Sequence, residues 1–471
     1  MKILFPILLL IWLAFPLTEK SDESRNSPSL STEQQPVSNY LNYCAGCHGI
    51  NLEKFSARQW MNETGSASAF KSIKFGIEDI GMPAFAKTFS DAEIEALAAY
   101  VKRGIPADRK LLKPAISSGG IISSEVQRFA VDTVISGLKV PWGMAFLPGG
   151  DILVSERSGT LHVFSDGKLS DPIEGLPDIM ATGQGGLLDV CLHPDYEKNG
   201  WVYFSYSKPA GKGIKRTGNT AIMRARLKGN QLTDQQELFV AGPPNDRGHH
   251  FGCKLVFDKD NNLYFGVGDR GQHFEFPQKL DNHNGKIHRI RDDGAIPDDN
   301  PFVNEPGAMQ SIYSYGHRNP QGNVIHPLTG ELWVTEHGPK GGDELNLVKP
   351  GLNYGWPVIS YGINYDGTVL TEFTEKPGME QPVMYWTPSI APCGMTFVTG
   401  GRYRKWENNI LVGSLSFQYL ERVVLKNHSV IHREKLLEGI GRVRNVVMGP
   451  DGLVYIAVEN PGVIVRLIPV E

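Results

Sequence analysis

The chain has 471 residues, of which 41% are hydrophobic and 21% are charged, and its formal net charge at pH 7 is −4. This length is long for one domain and sufficient for two, and the composition is that of a globular protein. The small negative charge gives no reason to expect nucleic acid or an anionic membrane surface as a partner. The 52 glycines and 31 prolines predict many turns and many short strands.

The N-terminus begins with Met1-Lys2 and continues as an apolar run from Ile3 to Leu17. This run has the length of a signal-peptide core and is short for a membrane span. We therefore expect export to the periplasm, with residues 1–18 either cleaved as a signal peptide or retained as a membrane anchor. Residues 19–36 are polar and rich in serine, which is typical of a linker.

A Cys-x-x-Cys-His motif, formed by Cys44, Cys47 and His48, lies near the start of a predicted domain over residues 37–108. Two thiols at this spacing form thioethers to a haem, and the adjacent histidine then becomes an axial ligand of the iron. Met82, in a Gly-Met-Pro loop, is the predicted second axial ligand. Alternative functions of the motif are a redox pair or half of a zinc site, although this domain offers no further Cys or His after the motif.

Helical patterns surround this motif. Val37, Tyr40 and Cys44 follow helical spacing, and Ser90 with Glu93 forms a capping box at the start of a closing helix. The domain resembles class I cytochrome c over nearly its whole length. The resemblance implies a small all-α fold with one covalently bound haem that relays single electrons.

After a predicted linker at 109–124, one sequence unit recurs along residues 125–471: a turn with Gly or Asn, followed by an apolar strand. The units begin at Gly149, Asn199, Asn261, Thr329, Asn408 and Asp451. Strand-rich repeats at this spacing predict an all-β domain, a six-bladed β-propeller. Ligands of propellers bind over the central channel, where long loops gather.

The longest interval between units overlaps a stretch from 311 to 357 that is rich in polar groups. It contains a short predicted strand and three polar pairs, Arg318-Asn319, Gly338-Pro339 and Asp343-Glu344. A cation, an amide and carboxylates near a Gly-rich turn indicate a site for an anionic ligand and a hard metal such as Ca²⁺. The alternative is a solvated surface loop.

Three further clusters are candidates for the same channel. Gln184 lies in a Gly-rich turn, and Arg442 and Arg444 lie on the same side of a predicted strand. Two guanidinium groups placed side by side indicate a bound anion. His250 and Asp269 form the third cluster, because a histidine oriented by a carboxylate is a general base near neutral pH.

Two points about neighbouring residues stay open. His249 is a rival to His250 as the base. Cys191, Cys253 and Cys393 are left after the haem motif, and an odd number argues against a disulfide framework. We interpret these cysteines as small core residues, although the position of Cys253 close to the candidate base allows a reactive thiol.

The segments SYGHRNPQG, EHGPKGGDELN, NYGWP and YWTPSIAP, in this order, resemble the soluble aldose sugar dehydrogenases that use pyrroloquinoline quinone (PQQ), the glucose/sorbosone dehydrogenase-like propellers. The similarity extends over roughly residues 130–470. It implies a six-bladed propeller that binds PQQ, with Ca²⁺ bridging the cofactor and the protein.

The resemblance also implies roles for individual residues. His250 would be the base that takes the proton of the anomeric hydroxyl, and Asp269 would orient it. The remaining roles are PQQ contacts by Gln184, Arg318, Asn319, Arg442 and Arg444; calcium ligation by the carbonyls of Gly338 and Pro339; a second calcium at Glu344 and the backbone of Tyr354; and a sugar contact by Trp386.

One position departs from the family pattern. Ser416 stands where the family commonly has a lysine bound to a PQQ carboxylate, so one cofactor contact is weakened or replaced. The predicted reaction is oxidation of an aldose at C1 to the lactone, with electrons passing to the chain's own haem and then to an external cytochrome or respiratory component. Alternatives are a Ca²⁺-dependent lactonase-type hydrolase and a degenerate propeller that binds sugars or partners without turnover.

Overall fold

The computed structural model describes residues 34–44, 65–77, 82, 84–103, 120–211, 217–271 and 273–470. The predicted signal segment lies outside these residues, as do Cys47 and His48. No helix in the described part of the chain is long and apolar enough to cross a membrane.

The N-terminal domain is helical, as predicted. Its helices are α1 (Gln34–Tyr43), α2 (Gly65–Phe75) and α3 (Asp91–Arg103). The predicted capping box is present at α3, because the backbone N–H of Ser90 donates to Glu93 Oε2 at 2.8 Å and the N–H of Glu93 donates to Ser90 Oγ at 3.4 Å. The helices enclose one apolar cluster, against which the partly buried Met82 packs.

The second domain is built from six antiparallel sheets, which confirms the predicted six-bladed propeller. The chain enters it through β1 (Ile121–Ser123) and β2 (Arg128–Ile135). Blade 1 contains β3 (Pro141–Phe146), β4 (Ile152–Glu156), β5 (Thr160–Ser165) and β6 (Lys168–Leu169). Blade 2 contains β7 (Leu187–Leu192), β8 (Trp201–Ala210), β9 (Thr217–Lys228) and β10 (Gln231–Val240), with a short helix, α4 (Tyr196–Asn199), after β7.

The remaining blades follow the same plan. Blade 3 contains β11 (Leu255–Phe257), β12 (Asn262–Val267), β13 (Lys286–Arg291) and β14 (Ile312–Tyr315), with a 3₁₀ turn at Phe276–Gln278. Blade 4 contains β15 (Pro320–Ile325), β16 (Leu332–Glu336), β17 (Asp343–Val348) and β18 (Met384–Trp386). Blade 5 contains β19 (Pro392–Phe397), β20 (Ile410–Ser414), β21 (Leu420–Lys426) and β22 (Ser429–Leu436). Blade 6 contains β23 (Val443–Met448), β24 (Val454–Val458) and β25 (Val463–Val470).

The two ends of the propeller are joined within blade 6. Strand β2 pairs with β25, with Val131 opposite Leu467, so the first long strand completes the last blade. Strand β1 pairs with β2 and lies inside the predicted linker at 109–124. The predicted boundary at residue 125 was therefore too late, because a three-residue strand with two exposed positions gives no clear period in the sequence.

Each of the six repeated sequence units contains the second strand of a blade, namely β4, β8, β12, β16, β20 and β24. The first and second strands of a blade are antiparallel. The end of the second strand and the start of the first therefore lie on one face of the propeller. We call this the site face.

Closure of the propeller depends on apolar contacts of β2. Phe129 on β2 is fully buried, and its ring meets Trp406 edge to face at 5.4 Å. Phe129→Ala removes this side chain from a packed core and should lower the free energy of unfolding by about 3–5 kcal/mol. The measurement is denaturant unfolding followed by tryptophan fluorescence. Ile121→Ala, on the neighbouring β1 at an exposed position, is the matched control and should change stability little; equal losses in the two variants would contradict the closing role of β2.

Candidate active site

His250 and Asp269 meet on the site face of blade 3. His250 precedes β11, and Asp269 follows β12. The Nδ1 atom of His250 lies 2.6 Å from Asp269 Oδ1. The same oxygen accepts the backbone N–H of Gly271 at 2.8 Å, and Oδ2 accepts the indole N–H of Trp356 at 2.7 Å. The predicted histidine–carboxylate pair is therefore present, and both carboxylate oxygens are held by donors.

The electrostatics of the pair leave the imidazole neutral. Burial raises the pKa of Asp269, but the neighbouring His250 and Arg318 and the N–H of Gly271 outweigh it and lower that pKa to about 2. Burial, followed by repulsion from Arg318, lowers the pKa of His250 below 6.5. A neutral imidazole beside an ionised carboxylate donates its Nδ1–H to it, so Nε2 has a lone pair to accept a proton.

The backbone around His250 is constrained. His250 has φ of +56°, a conformation that is unusual for a residue with a side chain. A Cβ at Gly268 would overlap the carbonyl oxygen of His250, so this approach requires glycine. The backbone N–H of His250 donates to Gln184 Oε1 at 2.9 Å. The structure thus brings the predicted Gln184 to the base, and strain of this kind is common at functional sites.

His249 is the weaker candidate for the base. Its ring contacts that of His250 edge to face at 4.5 Å. Burial, then the neighbouring His250, lowers its pKa to about 2. Its Nδ1 has no hydrogen-bond partner in the described part of the chain. Because no carboxylate orients this ring, the geometry favours His250 as the base.

Arg318 connects this pair to the loop after β16. Its backbone N–H donates to Glu336 Oε2 at 2.8 Å, and its Nη1 donates to the carbonyl of Gly338 at 2.6 Å. The guanidinium also lies over the Trp356 ring, 5.1 Å from the centroid. Among the described residues, the buried Nε of Arg318 has no partner. A buried donor without a partner fits a ligand that presents an acceptor oxygen.

The predicted metal-binding loop is held by Asp343. This buried carboxylate accepts the N–H of Gly338 at 2.8 Å and of Ala391 at 2.7 Å. The carbonyl of Gly338 accepts Arg318, and the carbonyl of Pro339 accepts Ser389 Oγ at 2.9 Å. A carbonyl oxygen has two lone pairs, so each is still able to ligate a cation. Main-chain carbonyls are ligands of the kind that Ca²⁺ takes.

Glu344, the predicted ligand of a second calcium, faces another carboxylate. It lies opposite Glu336 in the pairing of β16 with β17, and both accept Asn346 Nδ2. Burial and the like charge of Glu336 raise the pKa of Glu344 to about 8. Two close carboxylates fit a bound cation, although no group of three or more His, Cys, Asp or Glu able to hold a metal occurs among the described residues. Tyr354, whose backbone was also predicted here, buries its ring against His317 at 4.7 Å.

Asn319 and the two predicted arginines reach the same face. Asn319 Oδ1 accepts the N–H of Gly252 at 3.2 Å. Arg442 Nε and Arg444 Nε donate to the two oxygens of Glu459 at 2.9 Å and 2.7 Å. Part of the negative charge that was predicted to bind these two arginines is therefore supplied by the protein itself, through Glu459. Glu459 is not among the residues predicted from the sequence.

Arg157 is a second residue that was missed. It follows β4, and its Nη1 donates to the carbonyl of Gly183. Burial and the like charges of Arg444 and Arg442 lower the pKa of Arg157, while Glu459 raises it. Arg442 and Arg444 thus share one carboxylate, and Arg157 adds a third positive charge whose pKa responds to the same groups, an excess of positive charge that fits an anionic ligand. We call Arg157, Arg442 and Arg444 the arginine cluster.

The repeats contain a signal for these residues. The repeated units run through the second strand onto the site face, and several have their last acidic residue there: Glu156, Asp269, Glu336 and Glu459. Aligning the six units by this position would have identified Glu459, and Arg157 one residue beyond Glu156. Ser416 ends the unit of blade 5 and is buried, with its N–H donating to Ile390 O at 3.0 Å.

The placement of Trp386 does not support the predicted sugar contact. Its side chain is buried in the core between blades, and its Nε1 donates to Glu421 Oε2 at 2.9 Å. Strand alternation instead exposes the adjacent Tyr385, which stacks on Tyr361 with centroids 3.9 Å apart. The hydrophobic pattern of the sequence did not show which of these two neighbouring aromatic side chains is buried and which is exposed.

The three remaining cysteines pack in the propeller, and none forms a disulfide in the described part of the chain. Cys253 and Cys393 are buried, and burial raises the pKa of Cys393 to about 11 and that of Cys253 further. Burial also raises the pKa of Cys191. Thiols of this kind are inert at neutral pH, so Cys253 is not the reactive thiol that its position near His250 allowed.

Comparisons with known proteins relate both domains to known families. The family model "Glucose / Sorbosone dehydrogenase" matches residues 138–466, and the model "Cytochrome C oxidase, cbb3-type, subunit III" matches residues 32–101. Aldose sugar dehydrogenase YliI of Escherichia coli is 39% identical over 347 residues, which are 72% of this chain and 92% of that protein.

Solved structures of aldose sugar dehydrogenases also match this chain. The crystal structure of the soluble aldose sugar dehydrogenase from Escherichia coli in the apo-form matches with a TM-score of 0.69 and 37% identity, covering 73% of this chain and all of that one. The PQQ-bound aldose sugar dehydrogenase from Streptomyces coelicolor matches with a TM-score of 0.59 and 30% identity, covering 73% of this chain and 98% of that one.

Fold and site together define an oxidoreductase in which a cytochrome c domain precedes a six-bladed propeller of the sugar dehydrogenase class. The chain belongs to the Glucose / Sorbosone dehydrogenase family.

The state of His250 is directly measurable. We expect the imidazole resonances of His250 to titrate with a midpoint below 6.5, because burial and Arg318 disfavour the charged ring. Asp269 opposes this shift, so Asp269→Asn should move the midpoint lower still. The measurement is NMR of histidine-labelled protein over a pH series, with His250→Gln to assign the signal. A midpoint above 6.5, or a rise in Asp269→Asn, would contradict this assignment.

Proposed function

We propose that this protein oxidises aldose sugars at C1 to lactones, with PQQ and Ca²⁺ as cofactors, and passes the electrons to the haem of its own N-terminal domain. The main support is the His250–Asp269 pair beside Arg318 on the face that also presents the arginine cluster. The names of relatives, "aldose sugar dehydrogenase" and "quinoprotein glucose dehydrogenase B", support the substrate class and the quinone.

His250 acts as the general base. Its Nε2 accepts the proton of the C1 hydroxyl as the C1 hydride leaves. Asp269 keeps the proton of the neutral ring on Nδ1 and stabilises the imidazolium that forms. General base catalysis of this kind accelerates a reaction by roughly 10²–10⁴-fold. Gln184 holds the backbone of the base and thereby fixes the direction of the ring.

When bound, PQQ supplies the two-electron acceptor for the C1 hydride, and Ca²⁺ polarises the accepting group. Arg318, with its unpartnered Nε, would stabilise the negative charge that develops during transfer. Asn319 would contact the cofactor beside it. The carbonyls of Gly338 and Pro339 would hold the Ca²⁺ ion, and Glu344 with the backbone of Tyr354 would hold a second one.

The arginine cluster would bind the carboxylates of PQQ. Ser416 provides no cation where the family commonly has a lysine. Arg157 supplies a cation on this face, where its Nη1 donates to the carbonyl of Gly183 and where the charges of Glu459, Arg444 and Arg442 all act on its pKa. We therefore assign to Arg157 the cofactor contact that Ser416 does not make.

The electrons must leave one at a time, since a haem iron accepts a single electron. Cys44 and Cys47 would attach the haem, and His48 and Met82 would ligate its iron. An external cytochrome or respiratory component would then reoxidise the haem. We place the reaction in the periplasm, on the basis of the apolar N-terminal segment and the thioether motif.

The decisive experiment uses the exported full-length protein with haem attached. We expect aldoses to reduce the haem, followed by its visible spectrum, only when PQQ and Ca²⁺ are both supplied. His250→Ala should lower kcat by roughly 10²–10⁴-fold while PQQ still binds. His428→Gln, at an exposed histidine in the turn between β21 and β22, is the control and should retain activity.

Other outcomes separate the parts of the proposal. Reduction of an artificial dye without reduction of the haem would support sugar oxidation and refute the internal relay. Hydrolysis of lactones without PQQ would indicate the lactonase-type alternative. Failure to bind PQQ and to reduce either acceptor would refute the dehydrogenase and favour a propeller that binds without turnover.

The role of Arg157 has its own test. Loss of one charge-assisted contact in Arg157→Ala should weaken PQQ binding by about 10- to 100-fold. The measurement is fluorescence titration of the apoprotein with PQQ. Arg226→Ala is the matched control, because this guanidinium stacks on Trp201, away from the site face. An unchanged dissociation constant in Arg157→Ala would exclude the contact.

A further inference from the structure

Among the contacts that join the N-terminal domain to the propeller in the described part of the chain are a cation–π contact and a hydrogen bond. The Nζ of Lys340 lies over the ring of Tyr43, 3.3 Å from its centroid. The hydroxyl of Thr88 donates to the carbonyl of Asp366 at 2.8 Å. Both propeller residues belong to blade 4, in the loop after β16 and in the long insertion after β17.

On the haem side, Tyr43 ends α1 and directly precedes Cys44. Its ring packs edge to face on Phe89 at 4.9 Å and on Phe85 at 6.3 Å. Thr88 lies in the turn that holds these two phenylalanines. The surface that meets the propeller is therefore continuous with the core of the haem domain and adjacent to a predicted haem attachment point.

On the propeller side, Lys340 lies two residues after Gly338, whose carbonyl accepts Arg318 at 2.6 Å. The backbone of Lys340 is bonded in both directions to Ile363, at 3.0 Å and 3.1 Å. Asp366 follows in the same insertion, where its carboxylate accepts the N–H of Thr368 at 3.0 Å. The two contact points thus lie on one hydrogen-bonded platform, formed by residues 338–342 and 361–368.

We infer that this platform is the docking site of the haem domain, and that Lys340 and Tyr43 fix the position from which the haem takes electrons. The inference rests on the proposed function. Oxidation of the C1–H and O–H bonds releases two electrons and two protons. Each electron reduces one ferric haem to ferrous, the external acceptor reoxidises it between the two transfers, and the protons leave to solvent.

Charge and chemistry support this pairing. An ammonium group over an aromatic face is attracted by the ring quadrupole, and the attraction grows when water is partly excluded. The linker makes the encounter intramolecular, so that weak contacts are sufficient to populate one docked arrangement. Electron transfer slows steeply with distance, and the loop that receives the haem domain is also bonded to Arg318.

The test uses the full-length protein with its haem. In Tyr43→Leu combined with Thr88→Val, hydrogen–deuterium exchange should become faster in peptides that cover residues 338–342 and 361–368. In the same variant, stopped-flow reduction of the haem by sugar should slow by about tenfold, because the docked population falls. Reduction of an artificial dye should keep the rate of the unmodified protein, because the propeller is unchanged.

Two further variants complete the design. Lys340→Met removes the same contact from the propeller side and should give the same effects. The Tyr43 change lies next to Cys44, and the visible spectrum reports whether it disturbs haem attachment. Lys340→Met leaves that attachment untouched. Lys376→Met is the matched control, because this lysine lies over Phe373 in the same insertion. It should alter neither measurement.

The outcomes distinguish the docking site from the reaction. Unchanged exchange and unchanged haem reduction in both contact variants would overturn the docking site. Absence of dye reduction in the unmodified protein would refute the proposed function instead. The exchange measurement needs no turnover, so it still decides whether these residues hold the haem domain.

Discussion

The carboxylate of Asp269 is the constraint on which the rest of the active site depends. Burial of an ionised carboxylate is costly unless donors surround it. Here His250 and Gly271 donate to one oxygen, and the indole of Trp356, from the insertion of blade 4, donates to the other. The backbone N–H of Asp269 also donates to the carbonyl of Arg318, which directly precedes the first strand of blade 4, at 2.8 Å. A single buried charge thus orients the ring of His250 and joins two neighbouring blades.

The topology explains why residues far apart in sequence share this site. In every blade the second strand runs antiparallel to the first, so that it ends where the first begins. Residues before the first strands, such as Gln184, His250 and Arg318, therefore reach the same face as residues after the second strands, such as Asp269 and Glu459. The propeller needs no long-range signal to assemble the site, because six similar units place their ends around one axis.

The regular repetition of the strand units explains how much of the fold and of the site could be predicted from the sequence. The strand units, the six blades, His250 with Asp269, and the capping box of Ser90 follow from local patterns, and the structure confirms them. Glu459 and Arg157 were not predicted, because no pattern within a single unit marks them; only an alignment of the six units does, and their role depends on partners in other units. Trp386 and Tyr385 are adjacent aromatic residues on a short strand, and only the packing of blade 5 determines which ring is buried. The start of β1 was missed because two of its three residues are exposed.

The loop after β16 contacts both the candidate active site and the N-terminal domain. Asp343 fixes this loop through the N–H of Gly338, and Arg318 donates to the carbonyl of the same glycine. Lys340 then extends from the loop to Tyr43. The backbone of Lys340 is bonded to Ile363 and that of Gly338 to Asp343, so the two residues lie on one hydrogen-bonded segment. The loop that contacts the N-terminal domain is therefore the same loop that carries the proposed calcium ligands, and hydrogen bonds within one blade hold both in place.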